Sequence, residues 1–126
     1  MSLAGVRYEP RFDIHTNEDR TITSLFKEDI PGFDAAQVRV AQLQREAVLG
    51  NHWREYAELY GVMGEAQFVL EDIDTKEQRT YTLSTGDRLF VPARVALCVG
   101  AKRGAAIIAC GAEIDREGKT HKYLVR

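Results

Sequence analysis

The stretch GNHWREYAELYGVMG, residues 50–64, decides the fold and places the candidate site within it. Residues two apart on a β-strand share a face, so a strand through its first residues directs His52 and Arg54 to the same side. After a short turn, the second half of the stretch continues as a strand on which Glu58 and Tyr60 also share a face. We therefore expect these four side chains to line one cavity.

Short strand-like segments occur along the rest of the chain. They are rich in β-branched and aromatic residues and are bounded by turn-forming residues. They are TITSLF (21–26), QVRVAQL (37–43), LYGVMG (59–64), QFVLEDI (67–73), QRTYTLS (78–84), RLFVPA (88–93), VALCVG (95–100) and AAIIACG (105–111). The polar break EDIDTKEQ (71–78) predicts a hairpin over 67–84. Many short strands with regular turns predict an antiparallel sandwich or barrel.

Length and composition limit the possible functions. The chain has 126 residues, the size of one domain, and 44% of them are hydrophobic, which is enough for a single core. The net charge of -2 and the scattered basic residues give no surface suited to nucleic acid or to a membrane. The longest apolar runs, such as AAIIAC (105–110), are far too short to span a bilayer. We therefore expect one globular domain with neither kind of partner.

The N-terminus and the cysteines bear on the compartment. The first ten residues, MSLAGVRYEP, contain no apolar signal core, so we expect no secretion. Cys98 and Cys110 are the only cysteines, and both lie in apolar stretches. Buried reduced thiols explain this pattern better than a disulfide, and no CxxC motif or Cys/His cluster indicates zinc. These features predict a cytoplasmic protein.

Two motifs, in this order, resemble those of the cupin family. The first comprises GNHW (50–53), Glu58 and Gly64, where cupins carry a glycine, a His-x-His pair, a glutamate and a second glycine. The second is GDRLFVP (86–92), a glycine followed by five residues and a proline. As in the family, the hairpin at 67–84 separates the two motifs.

The cupin resemblance implies the architecture and the assembly of the molecule. It implies an all-β fold, a cupin-type antiparallel β-barrel with a jelly-roll-like topology. A single cupin domain then covers residues 1–126, with the barrel core at about 20–112 and a polar C-terminal extension at 113–126. Isolated cupin domains commonly pair through outer sheets and exchanged N-terminal strands, so the resemblance also implies a homodimer.

The stretch before the first motif resembles one branch of the family. EDRTITSLFKEDIPGFDAAQVRVAQLQREAVLGNHW (18–53) is similar to the first strands of sugar-modifying cupins. In that branch the strand of the first motif often reads Gly-Asn-His-Tyr-His, and LGNHW is close to it. These proteins act on nucleotide-linked deoxysugars in surface-polysaccharide biosynthesis, and their 3,4-ketoisomerases work without a metal. The resemblance therefore implies a nucleotide-sugar isomerase or epimerase that needs no cofactor.

The residues that bind a metal in cupins are only half present. Metallocupins hold the ion with both histidines and the glutamate of the first motif, and with a histidine in the second. Here His52 and Glu58 match, but the second histidine is replaced by Arg54, whose protonated guanidinium offers no lone pair. The fourth position, five residues after Pro92, is Leu97. Two protein ligands are too few for a transition-metal site, so we expect no bound metal.

Each candidate residue has a side chain suited to metal-free chemistry on a small polar ligand, a sugar or a carboxylic acid. His52 titrates nearest to neutral pH and is the candidate for proton transfer. Arg54 is suited to anchor an anionic group or to stabilise an enolate oxygen, and Glu58 to orient His52 or to act as a second acid or base. We expect Tyr60 and Leu97, the latter on the opposite wall of the cup, to contact the substrate.

Two other functions stay open at this level. In the first, the protein is a cupin that binds or senses a small molecule without catalysis. His52 is then a remnant of a metal-binding ancestor, and Arg54 and Glu58 form an internal ion pair in place of the metal. In the second, the protein is a metallocupin that takes atypical ligands from His15 or His121.

Overall fold

The computed structural model describes residues 2–125. Within that range the chain forms short β-strands and one turn of 3-10 helix at Ser2–Gly5, and it contains no α-helix. The strands are β1 (Arg7–Glu9), β2 (Ile14–Thr16), β3 (Thr21–Thr23), β4 (Gln37–Gln42), β5 (Ala47–Arg54), β6 (Glu58–Met63), β7 (Glu65–Asp72), β8 (Gln78–Ser84), β9 (Arg88–Val91), β10 (Val95–Ala101), β11 (Ala106–Gly111) and β12 (Thr120–Lys122). The segments predicted from composition coincide with β3, β4 and β6 to β11.

The strands form two larger sheets and a small hairpin. The first sheet has the order β1-β9-β6-β11-β4, the second has the order β12-β5-β10-β7-β8, and β2 pairs with β3. Buried side chains from both sheets pack into one core between them, as in the contact of Tyr60 with Phe68, whose ring centroids are 5.3 Å apart. The predicted antiparallel β architecture is thus confirmed, as two facing sheets of which neither closes on itself within residues 2–125.

The outer side of the second sheet is partly covered by the C-terminal segment. Along β7, Phe68 and Leu70 point into the core between more exposed residues, as expected for a sheet with one buried face. In contrast, β10 is buried along almost its whole length. Its outward residues Ala96 and Cys98 pack against Val125, so the polar extension ends as a cover on this sheet.

A buried arginine holds the N-terminal segment against the first sheet. Arg88, in the second motif, is only 1% exposed and forms ion pairs with Glu9 and Asp29. Its guanidinium also donates a hydrogen bond to the backbone carbonyl of Leu25 and lies over the ring of Phe12. A buried charge is tolerated when it is paired and hydrogen-bonded in this way. Arg88 therefore ties β1 and the loop after β3 to β9.

Short strands from the two ends of the chain extend the two sheets, one strand at an edge of each sheet. β1 pairs with β9 in the first sheet, and β12 pairs with β5 in the second, where Thr120 lies opposite Arg54. Both strands lie outside the range of about 20–112 that the resemblance implies for the barrel core. The pairing of β12 brings the C-terminal extension next to the strand of the first motif.

Two observations bear on the expectations from composition. Cys98 and Cys110 are free and buried, with exposures of 8% and 3%. Their surroundings therefore match those expected for reduced thiols. The part of the chain that the structure describes contains no helix long and apolar enough to cross a membrane.

Candidate functional site

A cavity of about 280 Å³ lies between the two sheets, next to β4 and β5. The polar residues that line it are Arg39, His52, Arg54 and Tyr60. A wider groove of about 900 Å³ runs elsewhere on the surface, along the loop that contains Lys102 and Arg103, and its described lining includes no histidine. We select the smaller cavity as the candidate site because it contains groups suited to proton transfer and to anion binding.

A bulge in β5 turns His52 and Arg54 into the cavity. Gly50 and Asn51 have φ angles of 92° and 57°, in the left-handed region that glycine and asparagine adopt most readily. The register between β5 and β10 shifts at this point. A Cβ atom on Gly50 would also lie 2.9 Å from the carbonyl oxygen of Leu97. The motif glycine is therefore required both by its backbone conformation and by the close approach of β10.

Arg54 contacts His52 directly. Its Nε–H donates a hydrogen bond to His52 Nε2 at 3.1 Å. Because an arginine N–H only donates, Nε2 is the acceptor, and the neutral ring carries its proton on Nδ1. Burial and then the positive charge of Arg54 lower the pKa of His52 to about 4. His52 is therefore neutral at physiological pH, with the lone pair on Nε2 occupied by Arg54.

Glu58 and Tyr60 lie on the other side of Arg54. Glu58 Oε1 is 3.0 Å from Arg54 Nε, and it accepts a hydrogen bond from the Tyr60 hydroxyl. Burial raises the pKa of Glu58, although the Tyr60 hydrogen bond and the charge of Arg54 act in the opposite direction. Burial and the Glu58 carboxylate raise the pKa of Tyr60 well above its ordinary value. Arg54 thus separates Glu58 from His52, and Glu58 acts on His52 through Arg54.

Leu97 lies on a different wall from the one predicted. It is on β10, directly beside His52 of β5 in the antiparallel register, and not on the opposite wall of the cup. The opposite wall comes from the first sheet and includes Tyr60 and Ile107. The prediction was wrong because the two-residue period gives the inward face of each strand but not which strands are neighbours. Leu97 still lines the cavity, where it is 3% exposed.

Four further residues lie at the site that no sequence pattern indicates. The Tyr56 hydroxyl and Thr120 Oγ1 accept hydrogen bonds from Arg54 Nη1 at 3.0 and 3.1 Å. Asp115 Oδ2 lies 3.5 Å from the same nitrogen, and Arg39 lines the cavity from β4. The sequence of β4 predicts the wrong face for Arg39. The apolar side of a strand normally faces the core, but on β4 the apolar side faces outward and the side with Arg39 faces the cavity. The other three are brought to Arg54 by turns and by the pairing of β12.

The two remaining histidines lie away from the cavity lining. His15 is exposed on β2 and pairs with Asp13 at 2.9 Å. His121 stacks on Trp53 on the outer side of the second sheet, with ring centroids 4.1 Å apart, and it pairs with Glu55 at 2.7 Å. The atypical ligand sets that include these histidines are therefore not assembled in the structure.

We expect the purified protein to hold no stoichiometric transition metal. His52 and Glu58 are two possible donors, but Arg54 lies between them and its fixed positive charge opposes a cation there. Among residues 2–125, no group of three or more His, Cys, Asp and Glu side chains is placed to hold a metal ion. Elemental analysis of protein purified without added metal checks this expectation. A tightly held stoichiometric metal that is lost on His52→Ala would contradict it.

Known proteins resemble this chain in structure and not in sequence. No family model and no curated protein matches it. The sugar 3,4-ketoisomerase QdtA from Thermoanaerobacterium thermosaccharolyticum, in complex with TDP, has a TM-score of 0.78 at 18% identity, over 94% of this chain and 88% of QdtA. A dTDP sugar isomerase from Desulfovibrio desulfuricans G20 has a TM-score of 0.81 at 17% identity, over 95% of this chain and 84% of the isomerase.

An epimerase is similar to the same extent. The dTDP-4-dehydrorhamnose 3,5-epimerase from Bacillus anthracis has a TM-score of 0.81 at 16% identity, over 95% of this chain and 79% of the epimerase. At such low identities these likenesses show the fold alone, and the chemistry has to be argued from the side chains in the cavity.

Proposed function

Because this chain has the cupin fold found in sugar-nucleotide isomerases and epimerases, we propose that it binds a nucleotide-linked sugar and isomerises it without a metal ion. The proposed setting is surface-polysaccharide biosynthesis in the cytoplasm. The observation that carries the proposal is the neutral His52, held beside Arg54 in a cavity whose other walls are largely apolar. A neutral imidazole next to a fixed cation is suited to proton abstraction beside a carbonyl, with the imidazole as base and the cation beside the developing negative oxygen.

The keto sugar of a structural neighbour is the first substrate to consider. A point mutant of QdtA has been solved in complex with TDP-4-keto-6-deoxyglucose. A cavity of about 280 Å³ is near the lower limit for small-molecule sites, and it accommodates a sugar unit but not a whole nucleotide sugar. We therefore place the sugar in the cavity and the nucleotide at its opening.

A 3,4-ketoisomerisation exchanges a ketone and a hydroxyl on neighbouring carbons without any oxidant. A base removes the proton from the hydroxyl-bearing carbon, and the electron pair moves to the ketone oxygen to give an enediolate. The former ketone oxygen takes up a proton, its carbon receives the transferred proton, and the original hydroxyl oxygen loses its proton to become the new ketone. His52 is the proposed base, and Arg54 is proposed to stabilise the negative oxygen.

Substrate binding is proposed to prepare His52 for this role. In the free protein Arg54 occupies the lone pair that the base needs. A phosphate oxygen of the substrate at the opening of the cavity offers Arg54 a stronger partner than a neutral imidazole, because the two groups then carry opposite charges. When Arg54 turns to the ligand, its hydrogen bond to His52 is lost and the pKa of His52 rises, although burial, the larger cause of its low value, remains.

Product analysis tests the proposed function. The protein is incubated with TDP-4-keto-6-deoxyglucose, and the products are identified by NMR. Conversion to the 3-keto isomer is the expected result, and an inverted configuration beside the ketone would instead place the protein with the epimerases. An unchanged sugar, for this and related keto sugars that bind in the cavity, would contradict the proposal.

A non-catalytic binding or sensing cupin is the second candidate function. The observation that favours it is the occupied lone pair of His52 together with the pKa of about 4, since so weak a base transfers protons poorly. In that function the ion pair of Arg54 and Glu58 stands where related cupins hold a metal, and the cavity only binds its ligand. Binding of a keto sugar without any product is the result expected for it.

We also propose that the protein is a homodimer that pairs through the outer side of its first sheet. Val38 and Val40 of the edge strand β4 are 60% and 62% exposed, and Met63 on the same side is 59% exposed. Exposed apolar side chains beside an unpaired strand edge are a surface that a second copy can cover. Light scattering is expected to give the mass of two chains, and Val40→Glu the mass of one. A monomeric wild-type protein at micromolar concentration would contradict this.

A further inference from the structure

A carboxylate from the C-terminal extension lies between two arginines at the edge of the cavity. Asp115 Oδ2 is 3.5 Å from Arg54 Nη1 and 3.6 Å from Arg39 Nη2. Both arginines line the cavity, Arg54 from β5 and Arg39 from β4. Asp115 therefore stands where an anionic group of a bound ligand would meet both guanidinium groups.

Two hydrogen bonds orient the Asp115 side chain towards the arginines. Its backbone N–H donates a hydrogen bond to Gln37 Oε1 at 2.8 Å, and Thr120 Oγ1 donates to its Oδ1 at 2.7 Å. The remaining oxygen, Oδ2, is directed at the arginines. Residues 112–119 cross from β11 in the first sheet to β12 in the second, and so carry this carboxylate past the cavity.

Both ion pairs of Asp115 are long. A charge-assisted hydrogen bond between a guanidinium and an oxygen is usually about 2.7–2.9 Å, whereas both arginines are at least 3.5 Å from Asp115 Oδ2. The Arg39 side chain is 48% exposed and that of Asp115 is 26% exposed, so solvent further weakens the ion pair between these two residues. An anionic ligand oxygen that contacts both arginines at normal distances would hold them more strongly than Asp115 does.

The segment that carries Asp115 is loosely attached to the core. Ile114, its one large apolar residue, is 55% exposed. Its other exposed residues are Glu113, Arg116, Glu117 and Gly118. Segments with few buried apolar contacts open at a low cost in free energy. Asp115 is therefore able to leave the arginines while the two sheets stay intact.

We propose that Arg39 and Arg54 form a binding site for an anionic group of the ligand, a phosphate or a carboxylate, and that Asp115 occupies this site in the free protein. The inference rests on the proposed function only in that the ligand enters this cavity. The incoming anion displaces the Asp115 carboxylate, because two negative groups between the same arginines would repel each other. The C-terminal extension thus lowers the affinity for the ligand by competing with it.

Calorimetric titration with three anions tests the site: thymidine diphosphate, inorganic pyrophosphate and citrate. Asp115→Asn removes the competing charge at nearly constant size, so the affinity for anions that use the site is expected to rise about fivefold. Arg39→Gln removes half of the site and is expected to lower the affinity by a similar factor, about fivefold. A response of the two phosphates alone identifies a phosphate as the ligand group, and a response of citrate alone identifies a carboxylate.

Two substitutions nearby serve as matched controls. Glu113→Gln makes the same charge change in the same segment, but Glu113 pairs with Lys119 at 3.2 Å and not with the arginines. Arg45→Gln matches Arg39→Gln, because Arg45 is exposed in the loop between β4 and β5. Both controls are expected to change the three affinities by less than about twofold, the size of a screened long-range effect.

An affinity of Asp115→Asn equal to that of the wild type for all three anions would overturn the inference. Arg39→Gln keeps the test decisive if Asp115→Asn unfolds, since Arg39 is a partly exposed residue of an edge strand. Unchanged affinities in Arg39→Gln would overturn the inference as well. The titrations need no turnover, so an absence of product contradicts the proposed function without changing the outcome for the anion site.

Discussion

Replacing Arg54 or Glu58 alone is expected to destabilise the protein more than replacing both. Arg54 Nε lies 3.0 Å from Glu58 Oε1, and the two side chains are only 14% and 5% exposed. Breaking a pair so shielded from water leaves a lone charge behind, which typically costs about 3–5 kcal/mol of unfolding free energy. Replacing both residues removes the second charge too, so a large part of this loss is regained.

The two single substitutions are expected to differ in their dependence on pH. After Glu58→Gln, Arg54 retains Asp115 at 3.5 Å and the Tyr56 hydroxyl. After Arg54→Met, Glu58 loses its nearest cation, and its pKa, already raised by burial, rises further. When the pKa of a carboxyl is higher in the folded than in the unfolded protein, the folded protein loses stability as the pH rises towards the folded-state pKa. Arg54→Met is therefore expected to be more destabilising at about pH 8 than at about pH 5.

Urea denaturation of the wild type, both single variants and the double variant measures the coupling energy. The exposed pair of Arg79 and Glu77 is the matched control, with a distance of 3.2 Å and exposures of 51% and 50%. Its coupling is expected to stay below about 1 kcal/mol. Effects at Arg54 and Glu58 that simply add, as at the control pair, would mean that water reaches both charges.

His52→Ala is expected to reduce the turnover of a keto sugar at least about a hundredfold, the usual contribution of a general base. The affinity for the ligand is expected to change by only a modest factor, because the base acts on the reacting proton in the transition state. Arg54→Lys is expected to be damaging too, since an ammonium group does not reproduce the planar two-pronged donor. The measurements are steady-state kcat and a separate calorimetric Kd.

A surface histidine provides the control for His52→Ala. His121 stacks on Trp53 away from the cavity lining, so His121→Ala is expected to leave kcat unchanged. The pH profile gives an independent check, because kcat/KM reports the free enzyme, in which the pKa of His52 is about 4. The value of kcat/KM is therefore expected to stay constant as the pH falls to about 5. A loss of affinity as large as the loss of rate would make His52 a binding residue instead of the base.

The inward face of the first motif can be predicted from the sequence, whereas the neighbours of that face cannot. The two-residue period of a strand places His52 and Arg54 on one side, and both line the cavity. That period contains no information on which strands pair. It therefore does not show that Leu97 lies beside His52 and not on the opposite wall. The overall β architecture was predictable because it depends on many short segments whose composition and turns agree with one another.

Arg39 and Asp115 show two further limits of local patterns. The valines around Arg39 suggest that the arginine side of β4 faces outward, but those valines are the exposed side chains. Asp115 lies in a polar segment without periodicity, and only the pairing of β12 with β5 brings that segment to Arg54. Contacts between residues far apart in sequence are set by the tertiary fold, which no local pattern contains.

Deuterium exchange into the keto sugar tests most directly whether His52 transfers a proton in this cavity. The wild-type protein and His52→Ala are incubated with TDP-4-keto-6-deoxyglucose in deuterated water, and NMR follows the hydrogen on the carbon beside the keto group. We expect the wild type to exchange this hydrogen and His52→Ala to exchange it at least about a hundredfold more slowly. No exchange by the wild type, or equal exchange by both proteins, would contradict the assignment of His52 as the base.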